Sequence, residues 1–150
     1  MTEARPTERV LSLITAILRR SAHEIRNSLN GVAVNVEVVR SRSSRPGGSG
    51  EVSAFAERAV SEVATASALM DGTLALAQEF LGAMAEGKVR AGTDAGGDEG
   101  TFSITGAGPR LEGIRAAIAT LAPRIGVTVE TNGQTVIFRV LPESSSLPKA

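Results

Sequence analysis

The chain has 150 residues, with sixteen basic and sixteen acidic side chains, four Phe and no Cys, Trp or Tyr. This length fits one ordinary domain or two very small ones. The balanced charge gives no overall attraction to nucleic acid or membranes, and so few aromatic rings leave little material for base stacking. The absence of Cys excludes disulfides, thiol chemistry and thiolate metal sites.

An apolar run at residues 10–18 follows Arg5 and Arg9, in the way that the hydrophobic part of a signal peptide follows its basic residues. Arg19 and Arg20 come directly after it, however, and no small-residue cleavage site follows. The run is also too short to span a bilayer. We therefore expect a soluble, cytoplasmic protein that binds neither membrane nor nucleic acid.

Two Gly-rich segments, residues 41–50 and 86–100, divide the chain into three blocks. The first two blocks share a helical period and the third changes to short alternating segments, so the segments separate units of different predicted structure. The predicted units are a helical hairpin at 6–86, a linker at 87–100, a small α/β domain at 101–142 and a disordered tail at 143–150.

The first block has the periodicity of one long helix. Segment 31–39 alternates apolar and polar residues and alone resembles a strand, but Val32, Val36 and Val39 continue the upstream apolar stripe, which favours helix. The positions that recur at steps of three and four are Leu11, Ile14, Leu18, Ser21, Ile25, Ser28, Val32, Asn35 and Val39.

The second block has the same spacing and predicts an antiparallel partner helix. Both helices carry apolar stripes that are too wide for one partner, which favours a four-helix bundle built from two chains. The predicted seam consists of Val52, Ala56, Ala59, Val63, Ala66, Met70, Thr73, Ala77, Leu81 and Met84, with Phe55, Val60, Leu74 and Phe80 beside it.

The third block changes to short alternating segments around one helical stretch. TFSIT predicts a strand and PRLEGIRAAIATLA a helix, while VTVET and QTVIFRV predict strands joined by a tight turn at Asn132-Gly133. Such a β-α-β-β unit is too small to be stable alone, so we expect it to dock on the helices or on its counterpart. The predicted fold class is α+β.

The only histidine of the chain, His23, is predicted to be exposed. It lies two residues from the seam residue Ile25, which is about 200° around a helix. Arg26 and Asn27 share its face, and the adjacent Glu24 could fix one imidazole tautomer. This combination suits nucleophilic or water-directed transfer, and an inert surface histidine is the alternative. Without a second His a metal cluster is disfavoured, as is a hydrolase without a nucleophile elbow.

The stretch HEIRNSLN, residues 23–30, resembles the H-box of sensor histidine kinases, whose usual form is H-E-L/I-R-T/N-P-L-N. The likeness covers the hairpin, roughly residues 9–85, and ERAVSEVATASALMDGTLALA is similar to the second helix of that family. The departure is Ser28, where the family usually has Pro. Losing that proline removes a helix kink.

The resemblance implies a dimeric hairpin beside which response-regulator receiver domains dock. It makes His23 the phosphoacceptor and Glu24 its acid–base helper, and Asn27 completes the E-x-x-N pattern that positions water for dephosphorylation of receivers. For Arg19, Arg20 and Arg26, the alternative interpretation is that they are ordinary solvated charges on the helix surface. The expected receiver-binding residues are Arg19, Arg20, Arg26, Asn30 and Val34.

Residues 109–140 are similar to the helix and following strands of the ATP-binding domain of the same kinases. Ala117 and Leu121 stand where the family's N-box places asparagines, and no D-x-G-x-G box follows the strands. The resemblance therefore implies a degenerate ATPase-like domain, similar to that of the dimeric histidine phosphotransferases of phosphorelays. A protein of this kind has no cofactor or metal of its own, and the partner receiver supplies Mg²⁺.

These features predict a histidine phosphotransferase that accepts phosphate on His23 from one receiver aspartate and passes it to another receiver. The alternatives are a receiver phosphatase that uses Glu24 and Asn27 to direct water, and a non-catalytic pseudokinase adaptor that binds receivers or kinases. The expected partners are receiver domains, a second copy of the chain and a hybrid histidine kinase.

Overall fold

Two long helices, α1 (Pro6–Ser43) and α2 (Ser49–Ala85), open the chain in a computed structural model that describes residues 6–43, 47, 49–92 and 100–142. They pack against each other as the predicted hairpin. Segment 31–39 is helical throughout, so the continuity of the period decided correctly between helix and strand. The predicted tail at 143–150 lies outside the described residues.

A four-stranded antiparallel sheet and one helix follow the hairpin, which confirms the α+β class. The strand order is β1-β2-β4-β3, and a single 3₁₀ turn at Gly108–Arg110 leads into the helix. The elements are β1 (Val89–Ala91), β2 (Thr101–Ile104), α3 (Leu111–Ile125), β3 (Val127–Asn132) and β4 (Thr135–Val140).

The small domain contains one strand more than the predicted β-α-β-β. Strand β1 lies inside the segment that was predicted as linker, and it pairs with β2 in the register Val89–Ile104 and Ala91–Phe102. The prediction was incomplete here because three residues give no usable alternation. The tight turn at Asn132-Gly133 is confirmed, with Gly133 at a φ of 62° and Asn132 paired with Thr135.

Three phenylalanines form the centre of one core that includes both the hairpin and the sheet. Phe80 of α2 meets Phe102 of β2 and Phe138 of β4 edge to face, with ring centroids 5.5 and 5.3 Å apart. Phe102 and Phe138 are cross-strand partners and stack at 4.9 Å. The small domain is therefore docked on the hairpin through its largest side chains.

The described part of the small domain covers the end of the hairpin that is remote from the connection between α1 and α2. On α1, the buried side chains Val10, Ile14, Ile17 and Ser21 all lie in the first half of the helix. Beyond them, Ser28 is the one further α1 residue that is buried in the part of the chain described. The half of the hairpin nearer the loop therefore has little core of its own.

The buried face of α2 differs from the predicted seam beyond Ala66. Leu69, Leu76 and Phe80 are fully buried there, whereas the predicted seam residues Met70 and Leu81 are 48% and 68% exposed. The period itself was correct. The predicted buried face was wrong because α3 and the sheet, and not α1 alone, determine which side of α2 is covered.

Gly72 permits a close approach of α3 to α2. A Cβ atom at this position would lie 3.4 Å from the carbonyl oxygen of Ala117 and 3.4 Å from Cγ of Leu121. Ala117 and Leu121 are both buried in the core. The side of α3 that carries these two residues is therefore packed against the hairpin.

Helix α1 runs through Ser28 without interruption. A proline there would remove the backbone N–H that bonds the carbonyl of Glu24 and would bend the helix next to His23. Ser28 is also buried, with 5% of its surface exposed. Serine thus keeps α1 regular where the histidine kinase motif usually has proline.

Arg110, at the start of α3, lies across the end of α2. Its guanidinium donates hydrogen bonds to both carboxylate oxygens of Glu86, and its Nε lies 3.3 Å from Oε2 of Glu79. Lys88 Nζ is 2.9 Å from Oε2 of Glu86. The hydrogen bonds from Arg110 and then from Lys88 lower the pKa of Glu86 from its ordinary 4.5 to about 2.

We expect Glu86→Gln to lower the Tm at pH 7 and to have a shrinking effect as the pH falls. Because the folded-state pKa is depressed, the stabilisation by the Glu86 charge is complete above about pH 4.5 and is lost towards pH 2. Circular dichroism melts of both proteins between pH 2 and pH 7 measure this difference. Glu57→Gln, on the exposed face of α2, is the matched control. A Tm difference that stays constant over this range would contradict the assignment.

Candidate functional site

His23 is exposed on α1, near the edge of the region that the small domain covers. Asn27, Asn30 and Val34 are exposed as well, and their spacing places them on the same face of the helix. Within the described residues, neither the His23 nor the Asn27 side chain makes a hydrogen bond or an ion pair. We call this face, formed by His23, Asn27, Asn30 and Val34, the histidine stripe.

Glu24 contacts the small domain rather than the histidine stripe. Its Oε2 lies 3.8 Å from Nη1 of Arg124, near the end of α3, and the two side chains are 24% and 46% exposed. A pair at this distance and exposure is weak and easily exchanged for another partner. The Glu24 carboxylate can therefore leave Arg124 for another partner with little loss of free energy.

Arg20 ties α1 to the end of α3. Its Nη1 donates to the carbonyl oxygens of Ile125 at 3.0 Å and Gly126 at 3.5 Å. These carbonyls lack partners within α3 because they lie at the end of the helix. The positive charge of Arg20 also interacts favourably with the negative end of the helix dipole. Of the predicted receiver-binding residues, Arg20 thus already has an internal role, whereas Arg19 and Arg26 are exposed.

An open cavity of about 880 Å³ lies between α1 and the small domain, and His23 lines it. Arg19, Arg20 and Glu24 complete the α1 side. The opposite side is formed by the segment 123–128, where α3 passes into β3, and by the residues after β4. We call the segment 123–128 the corner.

Of the exposed apolar residues of α1, Val34 belongs to the histidine stripe and three others lie away from it. Leu11, Leu29 and Val36 are each about half exposed, and they lie about 120–140° around the helix from His23. On α2, Val60, Val63, Met70, Leu74 and Leu81 are also exposed. We call this second set the α2 stripe. The apolar α2 stripe and the histidine stripe, which is polar except for Val34, therefore lie on different helices.

The arrangement around His23 suits an external reaction partner. The imidazole is accessible, a carboxylate is adjacent in sequence, and an amide lies one turn further along the same face. Within the described ranges, no three His, Asp or Glu side chains cluster as metal ligands, and no helix is long and apolar enough to cross a bilayer.

Sequence reasoning missed the corner as part of the site. Arg124 follows Glu24 by 100 positions, and their proximity depends on how α3 packs on the hairpin. The local pattern identified α3 and β3 correctly but contains no information about that packing. On the basis of that pattern, Arg124 near the end of an amphipathic helix could not be distinguished from an ordinary surface residue.

The histidine stripe, Glu24 and the cavity beside them are the candidate site on grounds of motif and geometry. The motif supplies the kind of chemistry, and the geometry supplies access for a large partner. Comparison of the chain with protein-family models, with curated proteins and with solved structures found no match.

Proposed function

We propose that this protein is a histidine phosphotransferase of a two-component phosphorelay, with His23 as the residue that carries the phosphoryl group. The observation that carries the proposal is the H-E-I-R-N sequence, in which His23 and Asn27 are exposed one turn apart on the same face and Glu24 is adjacent to His23 in the chain. An imidazole held in this way is a nucleophile that a folded partner can reach.

The reaction is a direct exchange between an aspartyl phosphate and an imidazole. An imidazole nitrogen attacks phosphorus, the bond from phosphorus to the aspartate oxygen breaks, and the aspartate leaves as a carboxylate. The proton on the other ring nitrogen passes to Glu24 or to solvent. Transfer to a second receiver reverses these steps, with Mg²⁺ supplied by the receiver, so that positioning provides most of the catalysis.

The packing of α3 supports a relay rather than an autophosphorylating kinase. Ala117 and Leu121, which stand at the positions of the N-box in the resemblance, are buried where α3 meets Gly72 of α2. Polar ligands for a nucleotide are replaced there by core packing. The small domain thus acts as a support for the histidine helix.

The α2 stripe supports a homodimer with a four-helix bundle. Its five residues are spaced by three, seven, four and seven positions and extend over about 32 Å of helix. Val60, Leu74 and Leu81 are 70%, 60% and 68% exposed. A long apolar stripe at heptad spacing is typical of an interface between helices, and a second copy offers a matching one.

Phosphorylated receivers should label the wild-type protein, and His23→Ala should abolish the label completely because the chain has no other histidine. The measurement is transfer of radiolabelled phosphate from each purified receiver domain of the same genome. The label should be stable in alkali and lost in acid, as expected for a phosphoramidate bond. Absence of label from every receiver, or label that persists in His23→Ala, would contradict the proposal.

A receiver phosphatase is the second candidate, because Asn27 is exposed and unpaired within the described residues beside His23. In that case Asn27 orients water towards the aspartyl phosphate, and the phosphoryl group is released rather than transferred. For a phosphatase, Asn27→Ala should reduce phosphate release at least tenfold and leave receiver affinity unchanged. For a relay, the same variant should still be labelled at His23, and Asn30→Ala is the matched control.

We expect Leu74→Asp to convert the dimer to a monomer, because it places a carboxylate in the centre of the apolar interface. Sedimentation equilibrium measures the change directly as a halving of the mass. Val34→Asp is the matched control, since Val34 is equally exposed but belongs to the histidine stripe. A dimer that persists in Leu74→Asp, or a wild-type monomer at micromolar concentration, would exclude the α2 stripe as the interface.

A further inference from the structure

We propose that the corner, residues 123–128, is a second part of the surface on which a receiver docks, and that Arg124 is its selective contact. This inference rests on the proposed function, because it concerns the partner that reaches His23. It assigns to the small domain a role in choosing that partner, in addition to its role as a support for the hairpin.

The size of a receiver makes contact with the corner difficult to avoid. A domain of 100 residues or more is about 30 Å across, and a stable interface covers about 800 Å² on each partner. A body of this size centred on His23 extends over about ten helical residues in each direction. The small domain already reaches Glu24, the residue next to His23, through Arg124. Its corner therefore lies inside the footprint.

The corner is held firmly in place. Arg20 bonds the carbonyls of Ile125 and Gly126, and the backbone N–H of Leu141 donates to the carbonyl of Gly126 at 2.8 Å. Ile125 and Val127 are buried in the core. A surface that is fixed before binding loses little conformational entropy on association. The cavity between the corner and His23 consequently has a defined shape for a receiver loop.

The exposed groups of the corner suit an acidic partner. Arg124 of the corner and Arg19 of α1 are both exposed at the cavity, which exposed Pro123 and Leu141 also line. A phosphorylated receiver brings negative charge to His23, so two guanidinium groups at this opening favour its approach. The weak pair with Glu24 lets Arg124 exchange its partner for a receiver carboxylate.

Arg124 does not touch the reacting atoms, so it is a positioning and selecting residue.

The test compares wild type, Arg124→Ala and Arg124→Glu with the control Arg115→Glu. Arg115 is exposed on the same helix and lies about 180° around it from Arg124. The probes are the phosphorylated receiver domains of the same genome, and the readout is KM and kcat for transfer to His23. We expect KM to rise about fivefold in Arg124→Ala and at least tenfold in Arg124→Glu, with Arg115→Glu unchanged.

Chemical phosphorylation separates this inference from the proposed function. Phosphoramidate needs no docking surface, so it should label His23 equally in all four proteins. If receivers transfer phosphate to all four with the same KM, the corner is not a docking surface, although the proposed function stands. If no receiver transfers phosphate, the proposed function fails, and titration with unphosphorylated receivers decides about the corner.

In that titration, tighter binding to wild type than to Arg124→Glu supports the corner, and equal or absent binding overturns it. The oligomeric state of each variant provides the remaining comparison. A shift to monomer in Arg124→Glu would assign the corner to a contact between two copies of the chain, which also overturns the inference. An unchanged mass together with the altered KM supports it.

Discussion

The packing of Phe80 against Phe102 and Phe138 is the interaction on which the rest of the structure depends. These three rings join α2 to the two central strands, and edge-to-face contacts add about 0.5–1.5 kcal/mol per pair to the burial itself. They determine where the sheet sits, and the sheet determines where α3 lies. Because α3 ends beside α1, the same packing brings Arg124 within reach of Glu24.

The uneven distribution of core follows from this docking. The covered half of the hairpin shares its core with the small domain, while the half nearer the loop has mainly Ala59, Ala66 and Ser28 as buried residues. Near its far end, Arg42 pairs with Glu51, and the guanidinium groups of Arg42 and Arg58 both lie over the ring of Phe55. His23 lies at the boundary between the two halves, where the part of α1 packed against the small domain meets the part that has little core.

Local signals predicted most elements, since helical period and the Asn132-Gly133 turn depend on neighbouring residues. The exposure of His23 also followed from the phase of α1 alone. Strand β1 and the buried face of α2 did not follow, because β1 exists through its pairing with β2, and the face of α2 is chosen by α3 and the sheet. Arg124 belongs to the same class, because contacts across 100 residues are decided by docking.

The close approach at Gly72 has a kinetic meaning under the proposed function. With Ala117 and Leu121 packed onto the hairpin, α3 has no room to swing towards His23 without breaking the core. Within the described residues, α3 is then held away from the imidazole and cannot deliver a phosphoryl group to it in the same molecule. Phosphorylation of His23 becomes a strictly bimolecular event, so its rate is set by how often a partner collides in the right orientation and not by a domain motion of this chain.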